Sequence, residues 1–420
     1  MEVYDDTEVF IVCPAYEKSG GPFALHQLAH ELRKRKIDAM MAYTGTARDE
    51  NPVAEPYRKY HIPFVTDEVV RGEHNILICP ETMVGSFPRH MRYVFWWLSV
   101  DNWAKTIRQQ LDRALRTSFA QPLPDFISPT GEAGTHWAQS EYAERFLRMN
   151  HVPKQKIHHV SDYLDPIFLS RHADDAFDVN GRRDIVVYNP AKGAAFTRKL
   201  QQAAPDIHWV RIEHMTEREV EDCLSQAKVY IDFGGHPGKD RIPREAAICG
   251  CCVVTGRRGA AGNDVDVPIN QSYKFADCEE NIPSIIDCVR ALLAEYPQRL
   301  ADFAAYRALI RREKARFERE VEAALPFHGA APQTKRLALL TRTTMASAAL
   351  PQETAWETRE DVRVSAVVDD AAAGGYVRAF QRDLPVISSE DAVFLYQEGR
   401  LEGFLRQDAE DNGMLHIYTS

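Results

Sequence analysis

Apolar residues recur along this chain in two alternating rhythms. Short runs rich in β-branched side chains, such as EVFIVCPAY (Glu8–Tyr16), DIVVYNP (Asp184–Pro190) and VYIDF (Val229–Phe233), read as buried strands. Between such runs the apolar positions spread to helical spacing, as in FALHQLAHELRKRK, where Phe23, Leu25, Leu28 and Leu32 mark a buried stripe. IDAMMAY (Ile37–Tyr43), NILICPE (Asn75–Glu81), WAQS (Trp137–Ser140) and HWVRIE (His208–Glu213) are further strands, and YVFWWLSVDNW (Tyr93–Trp103) begins as one. Helix starts carry their own signals. Pro22 suits a first helical position, Ser140 suits an N-cap for EYAERFLRMN, and Thr216 with Glu219 makes a capping box. A helix starts near Pro243 and runs straight into the strand CCVVTG, and SIIDCVRALLAEY and one long RLADFAAYRALIRREKARFEREVEAAL are amphipathic helices.

Strand and helix patterns in alternation predict an α/β fold with parallel sheets. Periodicity lapses over Ser161–Arg183, which reads as an interdomain linker. The expected organisation is therefore a Rossmann-like N-terminal, acceptor-side domain over 1–165 and a second Rossmann-like domain over 184–327, facing it across a cleft. After the linker-like HGAAPQT, a small α/β accessory domain over 335–420 is expected. Its strands are RLALLTR (Arg336–Arg342) and VRVSAVVDD (Val362–Asp370), and DLPVISSEDAVFLYQ turns from strand to helix with Ser388 as cap. TRTTMASAA stands where a dinucleotide-binding glycine fingerprint would follow the first of these strands, so a scaffold or interaction role is expected there.

Composition narrows the function classes. The 420 residues are 45% hydrophobic and 27% charged, as in ordinary globular proteins, and the net charge of −10 argues against nucleic acid as a partner. The start, MEVYDDTEV, lacks the basic and apolar regions of a secretory signal. No apolar run approaches the roughly 18 residues of a membrane span. Cys13, Cys79, Cys251 and Cys252 sit in apolar, strand-like surroundings, as buried free thiols of a reducing compartment do. The expected location is cytoplasmic, with no cofactor, no metal site and room for a homo-oligomer.

The candidate chemistry centres on Val229–Gly256. There a strand runs into Gly234-Gly235, then His236, Lys239, Asp240 and Arg241, and then a helix. Cations and backbone amides at a strand-to-helix junction are where α/β proteins bind anions. Gly20-Gly21 and Lys192-Gly193 follow the first strands of their domains in the same way, with Asn189 between strand and loop in the second. Asp101, Asn102 and Trp103 could line a sugar site, while three tryptophans in eight residues, Trp96, Trp97 and Trp103, fit core packing better. Asp101, His26 and His30 are the titratable candidates for a base, and none stands out. Asp264-Val265-Asp266 forms a D-x-D triplet in a glycine-bearing loop.

These features together resemble the GT-B glycosyltransferases, specifically the retaining group with a Glu-x7-Glu motif. The resemblance covers roughly residues 8–325 and rests on Gly20-Gly21, Ser140, Lys192-Gly193 and IPREAAICGCCVVTG, which has the shape of that family's Leu-Pro-x-x-Glu-Ala-x-x-x-Gly-x-Pro-Val-Val. It implies a transferase moving a sugar from a nucleotide diphosphate-sugar donor to an unidentified glycan or other acceptor, with retention and no obligatory metal. It also implies that Glu245 contacts the donor ribose and Lys192 the diphosphate. The motif departs from the family where its first glutamate would stand, which here is Pro237, and HPGKDR replaces the usual Glu-Gly-Phe-Gly. Lys239 or Arg241 could add a phosphate contact there, the other reading being a solvated salt-bridge cluster with Asp240. The alternative is a nucleotide-sugar binding or regulatory protein whose catalysis has decayed.

Overall fold

A computed structural model describes residues 1–4, 6–46, 51–66, 74–83, 92–116, 134–172, 175–328, 335–340, 362–370, 373–379, 382–397, 401, 403–407 and 415–418. TRTTMASAA (341–349) and most of HGAAPQT lie outside the described residues. By compactness the chain divides into two units, one of Met1–Phe95, Pro124–Thr135 and Glu322–Ser420, the other of Trp96–Leu123 and His136–Val321.

In the first unit the strand Glu8–Pro14 is central, and Val9 to Cys13 are all buried, as a parallel strand covered on both faces requires. Asp38–Thr44 pairs with it in parallel on one side and Ile76–Pro80 on the other. Phe64–Val65 extends the first side, and Arg92–Trp97, which carries the chain into the second unit, extends the second. The helix Gly20–Lys34 buries Phe23, Leu25, Leu28 and Leu32, the predicted stripe. A further sheet has Lys335–Leu340 parallel to both Val362–Val368 and Gly403–Gln407, and Arg382–Ile387 parallel to Val362–Val368. Ser388 does cap the helix Ser389–Gln397, its Oγ accepting from Asp391 N at 3.0 Å.

The second unit holds a four-stranded parallel sheet in the order Cys252–Thr255, Ala227–Asp232, Arg183–Tyr188, His208–Arg211. Both predicted caps are present: Ser140 Oγ accepts from Ala143 N at 3.1 Å, and Thr216 and Glu219 close a reciprocal box at the helix Glu217–Gln226. Trp96 and Trp97 are fully buried, with their indole N–H groups on Val160 O and His136 Nδ1, each at 2.9 Å. They are core side chains.

Two stretches depart from their local sequence patterns. Within Ser161–Arg183, Ser161, Asp162, Leu164 and Phe168 are buried and Pro166–Ser170 is helical. The long C-terminal helix is likewise broken, into Ala304–Arg311 and Glu313–Ala324. In each place a buried acid, Asp162 or Glu313, pairs with the same buried arginine, Arg244.

Among the described residues no helix is long and apolar enough to cross a membrane. The fold is α/β, with two parallel, Rossmann-like sheets and a small third sheet.

Candidate functional site

In the four-stranded sheet the chain runs outward from Arg183–Tyr188 to His208–Arg211, then returns to place Ala227–Asp232 on the opposite side. Strand order thus reverses between Arg183–Tyr188 and Ala227–Asp232, and such a switch point, at the carboxyl ends of the strands, is where open α/β sheets take ligands. The loops leaving those two strands carry Asn189, Lys192 and Gly193, and Gly234 to Asp240. They touch. A Cβ on Gly193, which sits at φ 62°, would lie 2.5 Å from Phe233 O, so the approach requires glycine. Asn189 folds its own loop, its Oδ1 accepting from Ala191 N at 3.0 Å. The helix Ala194–Ala203 begins directly after Gly193, so its N-terminal amides face this junction.

At the junction two acids share one imidazole. His236 is fully buried, with Nε2 3.4 Å from Asp232 Oδ1 and Nδ1 3.2 Å from Asp240 Oδ2. Neither nitrogen is aimed well enough for a hydrogen bond, so these contacts are ion pairs. Burial alone would push the imidazole pKa down, but the two carboxylates outweigh it and raise it to about 10. Asp232 is held in place by Tyr230 Oη at 2.9 Å and Gly234 N at 2.8 Å. Asp240 also accepts from Lys192 Nζ at 2.6 Å. Burial would raise its pKa, and His236 and Lys192 together bring it below the usual value.

A second network fixes the backbone of this loop. Arg244, fully buried, reaches Asp162 Oδ1 and Oδ2 at 3.0 and 2.8 Å and Glu313 Oε2 at 2.8 Å. It also donates to the carbonyls of Asp240 and Lys239, at 3.1 and 3.0 Å. Lys239 Nζ lies 2.6 Å from Glu313 Oε1, and its backbone N donates to Gln139 Oε1 at 2.8 Å. Pro237 O accepts from Val100 N at 2.9 Å. Arg241 pairs with Glu245 at 3.0 Å and Glu217 at 3.5 Å. Burial raises the pKa of Glu245, and Arg241 and Arg244 oppose the rise.

The sequence candidates therefore separate. Asn189, Lys192, Gly193, His236, Lys239, Arg241 and Glu245 lie on the two loops and the helix Arg241–Ile248 that follows. Lys239 and Arg241 are committed to carboxylates, with side chains only 10% and 18% exposed, whereas Lys192 is 33% exposed. Asp101, in the first turn of Val100–Arg116, places Oδ2 within 3.3 Å of a Cβ built on Gly235. Burial, then Asp240, raises its pKa. Gly20 and Gly21 open the helix Gly20–Lys34 of the other unit. His26, in that unit too, is buried between Pro22 O at 2.6 Å and Tyr43 Oη at 2.7 Å and stacks on Tyr57. Those two contacts occupy both ring nitrogens, and burial lowers its pKa to about 4.

The D-x-D triplet has a structural job. Asp266 accepts from Glu141 N and Tyr142 N at 2.8 and 3.0 Å, capping the helix Glu141–Met149, and Asp264 pairs with Lys274. Among the described residues two clusters have the residue types of a metal site. In Asp232, His236 and Asp240 the carboxylates approach different ring nitrogens, which suits a shared imidazolium better than ligands converging on one ion. In His172, Glu221 and Cys249, the Glu221 carboxylate already takes Arg171, His172 and Ser225.

Sequence reading passed over Asp232, Arg244, Asp162, Glu313 and Gln139. Arg244 stood inside the motif beside Glu245 and was the one visible signal. Its partners are 82 and 69 residues away in sequence.

No protein-family model matches the chain, and no curated protein matches it in sequence. Among solved structures it is similar to Anabaena HepE (Alr3699) in complex with UDP, at 10% identity and TM-score 0.50, covering 76% of this chain and 99% of HepE. HepE with UDP-glucose gives 11% identity and TM-score 0.50, covering 76% and 98%. WaaG, a glycosyltransferase involved in lipopolysaccharide biosynthesis, gives 11% identity and TM-score 0.48, covering 75% and 98%. At such identities the likeness is one of fold. The chain is structurally similar to GT-B glycosyltransferases at low sequence identity.

Proposed function

We propose that the protein is a glycosyltransferase that moves a sugar from a nucleotide diphosphate-sugar to an acceptor, with retention of configuration and without an obligatory metal. The observation that carries this reading is the placing of Lys192 and Gly193 at a helix N-terminus, on the switch point of a parallel sheet. Backbone amides, a helix dipole and one partly exposed ammonium suit a diphosphate, and they would stabilise the charge that develops as the nucleoside diphosphate departs. Glu245, in the helix Arg241–Ile248, is the ribose contact in this reading. HepE, with its bound UDP and UDP-glucose, supports the donor class.

Pro237 favours a second reading, a donor-binding protein without transfer activity, because no carboxylate stands where the resemblance implies one and the Pro237 carbonyl is taken by Val100 N. Incubation with UDP-, GDP- and ADP-sugars separates the two. Slow release of the nucleoside diphosphate supports the transferase. Thermal stabilisation by a sugar nucleotide without any release supports the binding protein, and no stabilisation by any of them contradicts both.

A further inference from the structure

The cations of the candidate site have carboxylate partners: Lys192 has Asp240, Lys239 has Glu313, Arg241 has Glu245 and Glu217, and Arg244 has Asp162 and Glu313. A site that receives a diphosphate would be expected to hold a cation ready for it, and here the one best exposed, Lys192, is held at 2.6 Å by a carboxylate. We propose that Asp240 is a tethered anion that occupies Lys192 until a ligand phosphate takes its place. Asp240 is then a specificity residue, favouring ligands with enough charge to displace it. The proposal rests on the donor-site reading above.

The geometry makes the exchange feasible. A carboxylate stripped of its partner in a largely buried place would resist the exchange, because an unpaired buried charge is costly. Asp240 keeps a partner: His236 Nδ1 stays 3.2 Å away when Lys192 leaves, and His236 is itself steadied by Asp232 on its other nitrogen. Arg244 and Gln139 hold the backbone on either side of Asp240, so the loop need not move. Lys192 is the mobile member, on a flexible stem, a third exposed, against 15% for Asp240. The exchange thus swaps the anion on one ammonium and leaves the Asp232–His236–Asp240 arrangement intact.

The test is calorimetric titration of the wild type and Asp240→Asn with UDP, GDP and ADP, each beside its bare nucleoside. With the competing charge removed, Asp240→Asn should bind the preferred diphosphate roughly ten-fold more tightly, and the nucleoside no more tightly. The gain should vanish in Lys192→Met/Asp240→Asn. Asp240→Ser, which removes both charge and bulk, gives the same sign if the asparagine variant does not fold. A wild type that binds a diphosphate, with folded variants that bind it equally or more weakly, overturns the tethered anion and leaves the donor site standing. If neither wild type nor variant binds any diphosphate, the donor-site reading fails and the proposal with it.

Discussion

Arg244 is the residue whose loss should be felt most. It is fully buried, makes two contacts to Asp162 and one to Glu313, and holds the carbonyls of Lys239 and Asp240. Replacing it with methionine keeps an unbranched chain of similar reach and removes the charge. Asp162, buried with Arg244 as its ion-pair partner, then keeps the Gln139 amide but loses that direct ion pair, while Glu313 retains Lys239. Breaking one side of a buried pair typically costs about 3–5 kcal/mol, mostly the penalty of the carboxylate left behind. Urea unfolding followed by the fluorescence of Trp96, Trp97 and Trp137, all fully buried in the same unit, reads that loss directly. Arg244→Met should lower stability by about 3–5 kcal/mol, and adding Asp162→Asn should recover part of it by removing the stranded charge. A loss below about 1 kcal/mol, or no recovery in the double variant, would refute the role given to this network.

His236 makes the unit's stability depend on pH. Its folded pKa is raised from 6.5 to about 10, so its stabilisation is complete below pH 6.5 and is lost as pH rises toward 10. Relative to His236→Gln, wild-type stability should fall across that window by up to about 1.4 kcal/mol per pH unit; a difference that stays flat contradicts the shared imidazolium. Glu245→Ala should weaken nucleoside diphosphate binding by about 1–3 kcal/mol if a charged hydrogen bond to ribose is lost. Unchanged affinity in the folded variant takes Glu245 out of the site.

The parts of this protein legible in its sequence are those governed by near neighbours. The Thr216–Glu219 box spans three residues and the Ser140 cap three, and both formed as their chemistry dictates. The buried strand at Glu8–Pro14 announced itself by the unbroken apolar run Val9–Cys13, and that at Ala227–Asp232 by the shorter Val229–Ile231. That the backbone at Gly193 needs glycine was legible from its place between a strand and a helix, and it does sit at φ 62°. The setting of the Lys239-Asp240 loop was not legible. Gln139 contacts Lys239 across 100 residues, and Asp162 contacts Arg244 across 82. Asp162 lay in a stretch whose acidic and polar residues imitate a solvated linker, and only the fold reveals that Asp162 is buried against Arg244 and that Asp175 pairs with Arg307 and Arg311. For the same reason the partner of Lys239 was hidden, since Glu313 stands in another helix, whereas Arg241 has one carboxylate, Glu245, four residues on in its own helix and a second, Glu217, in another.

The central claim is that Lys192 and Gly193 receive a diphosphate. Calorimetric titration of wild type and Lys192→Ala with a nucleoside diphosphate and with its bare nucleoside tests it most directly. The diphosphate should lose clearly more affinity than the nucleoside, because only the diphosphate places charge on the ammonium. Equal losses for the two ligands, in a variant that remains folded, would contradict it.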